Sequence, residues 1–298
     1  MKKGLRIGVV GTPGGWSSEL LADTVERRTG FRLLIEMKKA RLELPSGRVL
    51  FGDHDLSTLD GLIVKKIGAR YSPNLLDRLE ILRLLEGRGL PIFSAPSKIM
   101  RVLDRLSCTV TLSLAGIPMP PTTITEDPVM AAETLKQYGE AVLKPLYTSK
   151  ARGMVLYPQN GLSARETIEN YRRDNTVIYI QKKIDLAGKD LGVVFLGGEY
   201  LTTYSRVKLS DASWNTTTES GGRYASFTPE SEIIALAKKA QEPFGLSFTC
   251  VDVALGPTGP CVFEVSAFGG FRGMAETSGM NAAEILTDHC ISMITRNH

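Results

Sequence analysis

Two carboxylates stand inside apolar runs near the C-terminal end of the chain: Asp252 within Phe248–Leu255 and Glu264 within Cys261–Val265. Between them lies Gly256-Pro257-Thr258-Gly259-Pro260, a stretch of turn formers. The pattern predicts a β-hairpin whose strands are buried. A buried carboxylate is costly unless a cation or hydrogen-bond donors compensate it. One Asp and one Glu, completed by water and substrate phosphates, suit magnesium better than zinc or a soft metal. Pairing of each acid with a buried arginine, or exposure on an edge strand, fits the hairpin equally well. The segment Ala267-Phe268-Gly269-Gly270-Phe271-Arg272-Gly273 that follows cannot continue a strand and allows close backbone approach to a ligand.

Lys144 is the second feature with chemical potential. It ends the apolar run Ala141-Val142-Leu143, just before Pro145 and the polar loop Tyr147–Gly153. A half-buried ammonium there could hold a phosphate, with Thr148, Ser149, Lys150 and Arg152 as further donors from a loop able to close over it. A strand-end lysine snorkelling to water is the plainer alternative. Lys65-Lys66 likewise end an apolar run, where open α/β sheets commonly bind ligands, although a solvated edge suits them as well. The Gly11-Thr12-Pro13-Gly14-Gly15 loop has neither Gly-x-Gly-x-x-Gly spacing nor a Gly-Lys-Ser/Thr ending, so it is a poor nucleotide fingerprint.

The rest of the composition narrows the classes. A chain of 298 residues with 43% apolar content has room for two or three compact units and a sizeable core. No apolar run reaches the roughly 18 residues that a membrane span needs, and the short run at the start is interrupted by Gly11–Gly15. Cys108, Cys250, Cys261 and Cys290 lack Cys-x-x-Cys spacing, which predicts reduced core thiols and a cytoplasmic protein. His54, His289 and His298 are scattered and offer little for a histidine metal site or a Ser-His-Asp triad. A net charge of +4, spread along the chain, suits small anionic ligands at least as well as nucleic acid.

Several elements must position these residues. Leu5–Val10 predicts a buried strand, and Ser17 or Ser18 is placed to cap a helix to about Arg28. A hairpin around Pro45-Ser46-Gly47, a strand to Val64, a helix from about Pro73 to Glu86 and a strand at Pro91–Ser94 complete a first α/β unit. Helical sequence then runs through Ala115. Strand Thr122–Thr125, an Asp127-capped helix to about Tyr138, a hairpin of Ala141–Lys144 with Met154–Tyr157, a helix from about Ser163 to Arg173 and strand Val177–Gln181 follow. Strands Leu191–Leu196 and Tyr200–Arg206 precede the acidic hairpin. The terminal helix Ala282–Ile294 carries an apolar face that could support a homodimer.

Taken in order, LDGLIVKKIG, GLPIFSAPSKIMRVLDRL, AGIPMPPT, AVLKPL, VIYIQKKI, GKDLGVVFLGGEYLTTYSR, the Gly221-Gly222 step and VDVAL…CVFEVSAFGGFRGM resemble the RimK-like carboxylate–amine ligases of the ATP-grasp superfamily over nearly the whole chain. The resemblance implies an ATP-grasp fold of α/β and α+β parts. Its pre-grasp domain would span 1–94, a nucleotide-binding subdomain 95–181 and a C-terminal subdomain 182–298. It further implies an ADP-forming ligase that joins a carboxylate, on a small molecule or peptide, to an amine or a thiol through an acyl phosphate. ATP and magnesium, or manganese, would be the cofactors. Arg206 and Lys144 would be catalytic. Arg105, Lys144, Ser149, Gly153, Gln181, Lys182, Lys183, Ile184, Asp190, Asn215 and Thr217 would hold the nucleotide, with Asp190 on the ribose. Asp252, Glu264 and Ser266 would carry the metal.

This chain also departs from the family pattern. Arg105 stands for a usual lysine, Thr148 and Ala151 for loop glycines, Lys182 for a hinge acid and Gly192 for an arginine. Asn215 and Thr217, in Trp214-Asn215-Thr216-Thr217, replace an arginine and an asparagine, and Ser266 replaces the asparagine of Glu-x-Asn. Lys150, Arg152, Lys182 and Lys183 could restore the lost charge. A ligase of divergent specificity is the favoured reading, an ATP-binding regulator or scaffold without transfer chemistry the second. A nucleic-acid binder built on Lys65-Lys66, Lys182-Lys183 and Arg206 is the weakest, because no stacking-aromatic motif accompanies them.

Overall fold

The computed structural model describes residues 4–208, 215–217 and 221–296; Trp214 and His298 lie outside them. The buried run Ile7–Val10 forms β1 and leads through the Gly11–Gly15 loop into α1 (Trp16–Thr29). Neither Ser17 nor Ser18 caps this helix. Gly15 takes the cap position, and the buried Ser18 hydroxyl accepts the Thr12 N–H at 3.1 Å instead. After β2 (Leu34–Ile35), strands β3 (Arg41–Glu43), β4 (Arg48–Phe51) and β5 (His54–Asp55) make a small antiparallel sheet. β6 (Gly61–Val64), α2 (Asn74–Gly87) and β7 (Ile92–Phe93) then complete a parallel sheet in the order β2-β1-β6-β7. Lys65 and Lys66 directly follow β6, at the carboxyl end of this sheet.

The helical sequence before Ala115 is two helices, α3 (Pro96–Leu103) and α4 (Arg105–Leu114). Asp104 separates them. Its backbone is extended, and its carboxylate accepts the N–H groups of Leu106 and Ser107, capping α4. An aspartate mid-run competes for backbone donors as an N-cap does, which is how a break arises here without glycine or proline.

β8 (Thr122–Thr125), α5 (Pro128–Tyr138), β9 (Ala141–Leu143), β10 (Val155–Tyr157), α6 (Ala164–Tyr171) and β11 (Ile178–Lys182) follow. Their antiparallel sheet runs β10-β9-β11-β8. Asp127 caps α5, and a reciprocal Ser163–Glu166 capping box starts α6. Both helices share a core with the sheet through Leu135, Leu143, Ile168 and Ile180.

β12 (Lys189–Leu196), β13 (Glu199–Val207), β14 (Arg223–Ser226), α7 (Ser231–Gln241), β15 (Phe248–Gly256) and β16 (Gly259–Ser266) build a five-stranded antiparallel sheet in the order β14-β13-β12-β15-β16. α8 (Phe271–Ser278) and α9 (Ala282–Arg296) end the described chain. The apolar face of α9 is spent within the chain: Ala283, Leu286, Cys290 and Ile294 share a core with Ile7, Leu21 and Val25 of β1 and α1. That face is therefore not left open for the homodimer that its sequence suggests. All four cysteines are free, three of them buried. Among the described residues no helix is long and apolar enough to cross a membrane.

Candidate active site

The predicted hairpin forms from β15 and β16, with Asp252 directly opposite Glu264. The next pair is Val253 with Val262, so Phe263 is an extra residue on β16. Such a bulge redirects side chains, and here the neighbours Phe263 and Glu264 both line one cleft. The cleft has a volume of about 660 Å³ and is lined by strand residues of the second and five-stranded sheets and by segments that follow β1 and β6 of the first.

An arginine meets each acid of the hairpin. Arg206 on β13 lies 3.0 Å from Asp252, and its Nε also donates to Asp190 at 3.2 Å, with a second bond from Nη2 to the same carboxylate. Arg105, the first residue of α4, donates from Nη1 to Glu264 at 2.9 Å. It is 8% exposed, and its remaining donors hold the Pro145 carbonyl at 3.2 Å and the Thr148 carbonyl at 3.3 Å. Burial pushes the Asp252 carboxyl upward against the pull of Arg206, and Glu264 and Asp190 add to the rise. Burial alone would depress Arg206, but Asp252 and Asp190 hold it above its ordinary value. The centre is a half-buried alternation of charges in which every acid has a cation.

Asp190, which the family resemblance puts on the ribose, lines the cleft and is paired within the chain. Its buried carboxylate takes Arg206 and the Thr216 hydroxyl, the latter at 2.6 Å. It therefore orients Arg206.

Lys144 lies 9% exposed at the end of β9, donating to the Gln181 side chain at 2.5 Å with its ammonium 5.0 Å from the Phe263 ring. Burial, followed by the charge of Arg105, lowers it to about 7. Gln181 also donates to the Thr122 hydroxyl at 3.1 Å, so its side chain supports the lysine. In the hinge, the N–H groups of Lys182 and Lys183 go to the carbonyls of Pro121 and Glu140, at 2.8 and 3.0 Å. The Lys183 ammonium pairs with Glu140 at 3.0 Å and the Lys182 side chain is exposed. Neither supplies its charge to the acidic centre through a direct bond.

Ser149, Lys150, Arg152, Ile184, Asn215 and Thr217 all line the cleft, but Gly153 does not; it backs onto Pro145. Lys150 and Ala151 adopt left-handed backbone, φ 63° and 58°, a conformation that costs a side-chain-bearing residue about 1–2 kcal/mol. The Asn215 carboxamide oxygen accepts both the Thr217 N–H, at 3.0 Å, and the Thr217 hydroxyl, at 2.7 Å. The Ser266 hydroxyl accepts the Phe268 N–H at 3.2 Å, pinning the bend after β16.

Gly192, where the family resemblance implies an arginine, leaves no gap. Tyr204 faces it across β12 and β13, and a Cβ at Gly192 would lie 2.4 Å from the Tyr204 ring. The same ring excludes a Cβ at Gly273 on α8, also at 2.4 Å. Tyr204, Phe263, Trp16 and Arg272 also line the cleft, although none stands among the predicted site residues; Arg272 lies in the glycine-rich bend, and alternation along β13 could flag Tyr204, two residues before Arg206.

Among the described residues no three His, Cys, Asp or Glu side chains cluster to hold a metal by themselves. Two facing carboxylates fit magnesium nonetheless, because that ion retains waters and takes substrate phosphates rather than an all-protein cage. The arginines already at both acids show that the position favours positive charge.

Comparison with known proteins converges on one family. Residues 102–290 match the RimK-like ATP-grasp domain. A tetrahydromethanopterin:alpha-L-glutamate ligase of Methanosarcina acetivorans is 24% identical across 95% of this chain and 98% of its own. A ribosomal protein bS6–L-glutamate ligase of Salmonella newport is 30% identical over 62% of each chain. Among solved structures, the ATP-grasp ligase PsnB with a phosphomimetic variant of its minimal precursor, Mg and ADP superimposes at TM-score 0.76, with 16% identity over 98% of this chain and all of that one. D-alanyl-alanine synthetase A of Vibrio cholerae gives TM-score 0.75 at 14% identity, covering 99% of this chain and 100% of that one.

Proposed function

The chain belongs to the RimK-like ATP-grasp family and is an ATP-dependent ligase joining a carboxylate to an amine, and on that premise we propose how its cleft divides the work. The carrying observation is the facing pair Asp252 and Glu264, each held by an arginine. These acids, with the Ser266 hydroxyl beside them, would hold magnesium, which when bound neutralises phosphate charge. Lys144 and the 148–152 loop bind the phosphates, and the hinge at Ile184 meets the adenine. Arg206, steered by Asp190, orients the substrate carboxylate and stabilises the charge of its acyl phosphate until the amine displaces phosphate. The protein's contribution is position and charge compensation rather than covalent chemistry.

Relatives named for attaching glutamate to tetrahydromethanopterin or to ribosomal protein bS6 support a small-molecule or peptide carboxylate and an amino acid as the amine. Calorimetry of a non-hydrolysable ATP analogue with and without magnesium, on wild type, Lys144→Ala and Glu264→Gln, tests the assignment. Magnesium-dependent binding weakened by both substitutions supports it. Binding with no phosphate release across a broad panel of acids and amines would instead favour a nucleotide-binding regulator, and no binding by the folded protein would refute the site.

A further inference from the structure

The carboxylates lining the cleft, Asp190, Asp252 and Glu264, all stand on the five-stranded sheet. The wall beside the carboxyl ends of β1 and β6 is different: Thr12, Trp16, Ser17, Lys65 and Lys66 line it and, among the described residues, no acid does. Lys65 is consumed structurally. It is 2% exposed, donates to the Phe268 carbonyl at 2.8 Å and lies 3.9 Å from the centre of the Phe271 ring.

Lys66 has no such engagement. Its ammonium lies 5.5 Å from the Phe268 ring, and among the described residues it forms neither a hydrogen bond nor an ion pair. Burial, then the like charges of Lys150 and Arg152, lower it to about 8. Lys66, Lys150 and Arg152 all line this one cleft, and an anion arriving beside Lys66 would offset the like charge that acts on it. On the same wall the Arg272 guanidinium lies 5.3 Å from the centre of the Trp16 ring; its partner Glu276 is 3.9 Å away and both are exposed. Trp16 is itself 45% exposed, a flat surface beside Arg272 in the cleft that Lys66 also lines.

We propose that Lys66, with Arg272 and Trp16, forms a subsite for a second anionic group of the substrate, a carboxylate or phosphate ester other than the carboxylate that is activated. This rests on the ligase reading, which already assigns the reacting carboxylate to Arg206 and the nucleotide phosphates to Lys144.

The chain has two tryptophans, so Trp214→Phe leaves Trp16 as the fluorescent reporter in the full-length protein. Loaded with magnesium and a non-hydrolysable ATP analogue, this variant is titrated with succinate, phosphoglycolate and acetate. A saturable Trp16 response to a dianion but not to acetate is expected, and the stronger of succinate and phosphoglycolate identifies the group. Lys66→Met should weaken that response about tenfold or more, the loss of one charge-assisted contact, and Lys66→Arg should restore it. Arg272→Gln should weaken it less. No saturable response to either dianion, or an unchanged affinity in Lys66→Met, overturns the subsite. So does a comparable loss of nucleotide affinity in Lys66→Met, which would place this lysine on the phosphates. Should the wild type bind no nucleotide, the ligase reading fails separately, and the titration of unloaded protein still decides the subsite.

Discussion

The five-stranded sheet and the loop between β9 and β10 hold their charges by opposite means. On the sheet, Asp190, Arg206, Asp252 and Glu264 are placed by strand register and compensated by one another and by Arg105. On the loop, Lys150 and Ala151 are carried by a left-handed backbone, and Arg105 secures the loop at the Pro145, Leu146 and Thr148 carbonyls. Mutual compensation makes the sheet a preorganised centre. A backbone that costs energy in its resting form makes the loop the part able to change when phosphates arrive.

The sharpest way to break this contrast is to remove the cation from the sheet. Arg206→Met leaves the buried Asp190 and the half-buried Asp252 without it and should destabilise the fold by about 3–5 kcal/mol in denaturant titrations. Adding Asp190→Asn and Asp252→Asn should recover much of that loss, and no recovery would mean that Arg206 acts through packing alone. Glu264→Gln should spare more of the fold while weakening magnesium-dependent nucleotide binding by on the order of 2–3 kcal/mol, read by calorimetry.

A smaller effect concerns Lys144, whose folded value of about 7 lies below its ordinary 10.5. Between those values the unfolded chain holds more protons than the folded one, so this group makes stability rise with pH across that window. Phosphate binding has the opposite dependence because it needs the charged lysine. At pH 8 nucleotide binding should take up about 0.9 proton at this site. Calorimetry in two buffers of different ionisation enthalpy checks it, and an uptake unchanged in Lys144→Met would assign the proton elsewhere. Smallest is Ala151→Gly, which releases the left-handed strain but loosens the loop; a change in stability of about 1 kcal/mol or less is expected, with nucleotide affinity moving more than the melting temperature.

The acidic hairpin was legible because two acids in apolar strands demand compensation, and a turn segment between them sets their pairing. Both kinds of compensation open to those acids meet in one place: arginines hold them, and they still form a site suited to a metal. The break at Asp104 was not legible, since an aspartate without glycine or proline gives only a weak stop signal. The bulge at Phe263 was equally hidden, because it depends on how β16 pairs rather than on its own residues. Arg105 meets Glu264 across 159 positions, and only tertiary packing brings them together. The Gly192 departure could be read as a missing cation but not as an occupied volume, because Tyr204 supplies that occupancy from another strand.

That occupancy also constrains how the protein can change over generations. With the phenol seated against Gly192 and Gly273, even a methyl group at position 192 meets the ring, and an arginine would have to displace it. A cation therefore cannot be introduced at position 192 without moving or shrinking the residue at 204, and the two substitutions are epistatic by sterics alone. The order in which positions 192 and 204 can change is set by the placement of a single ring.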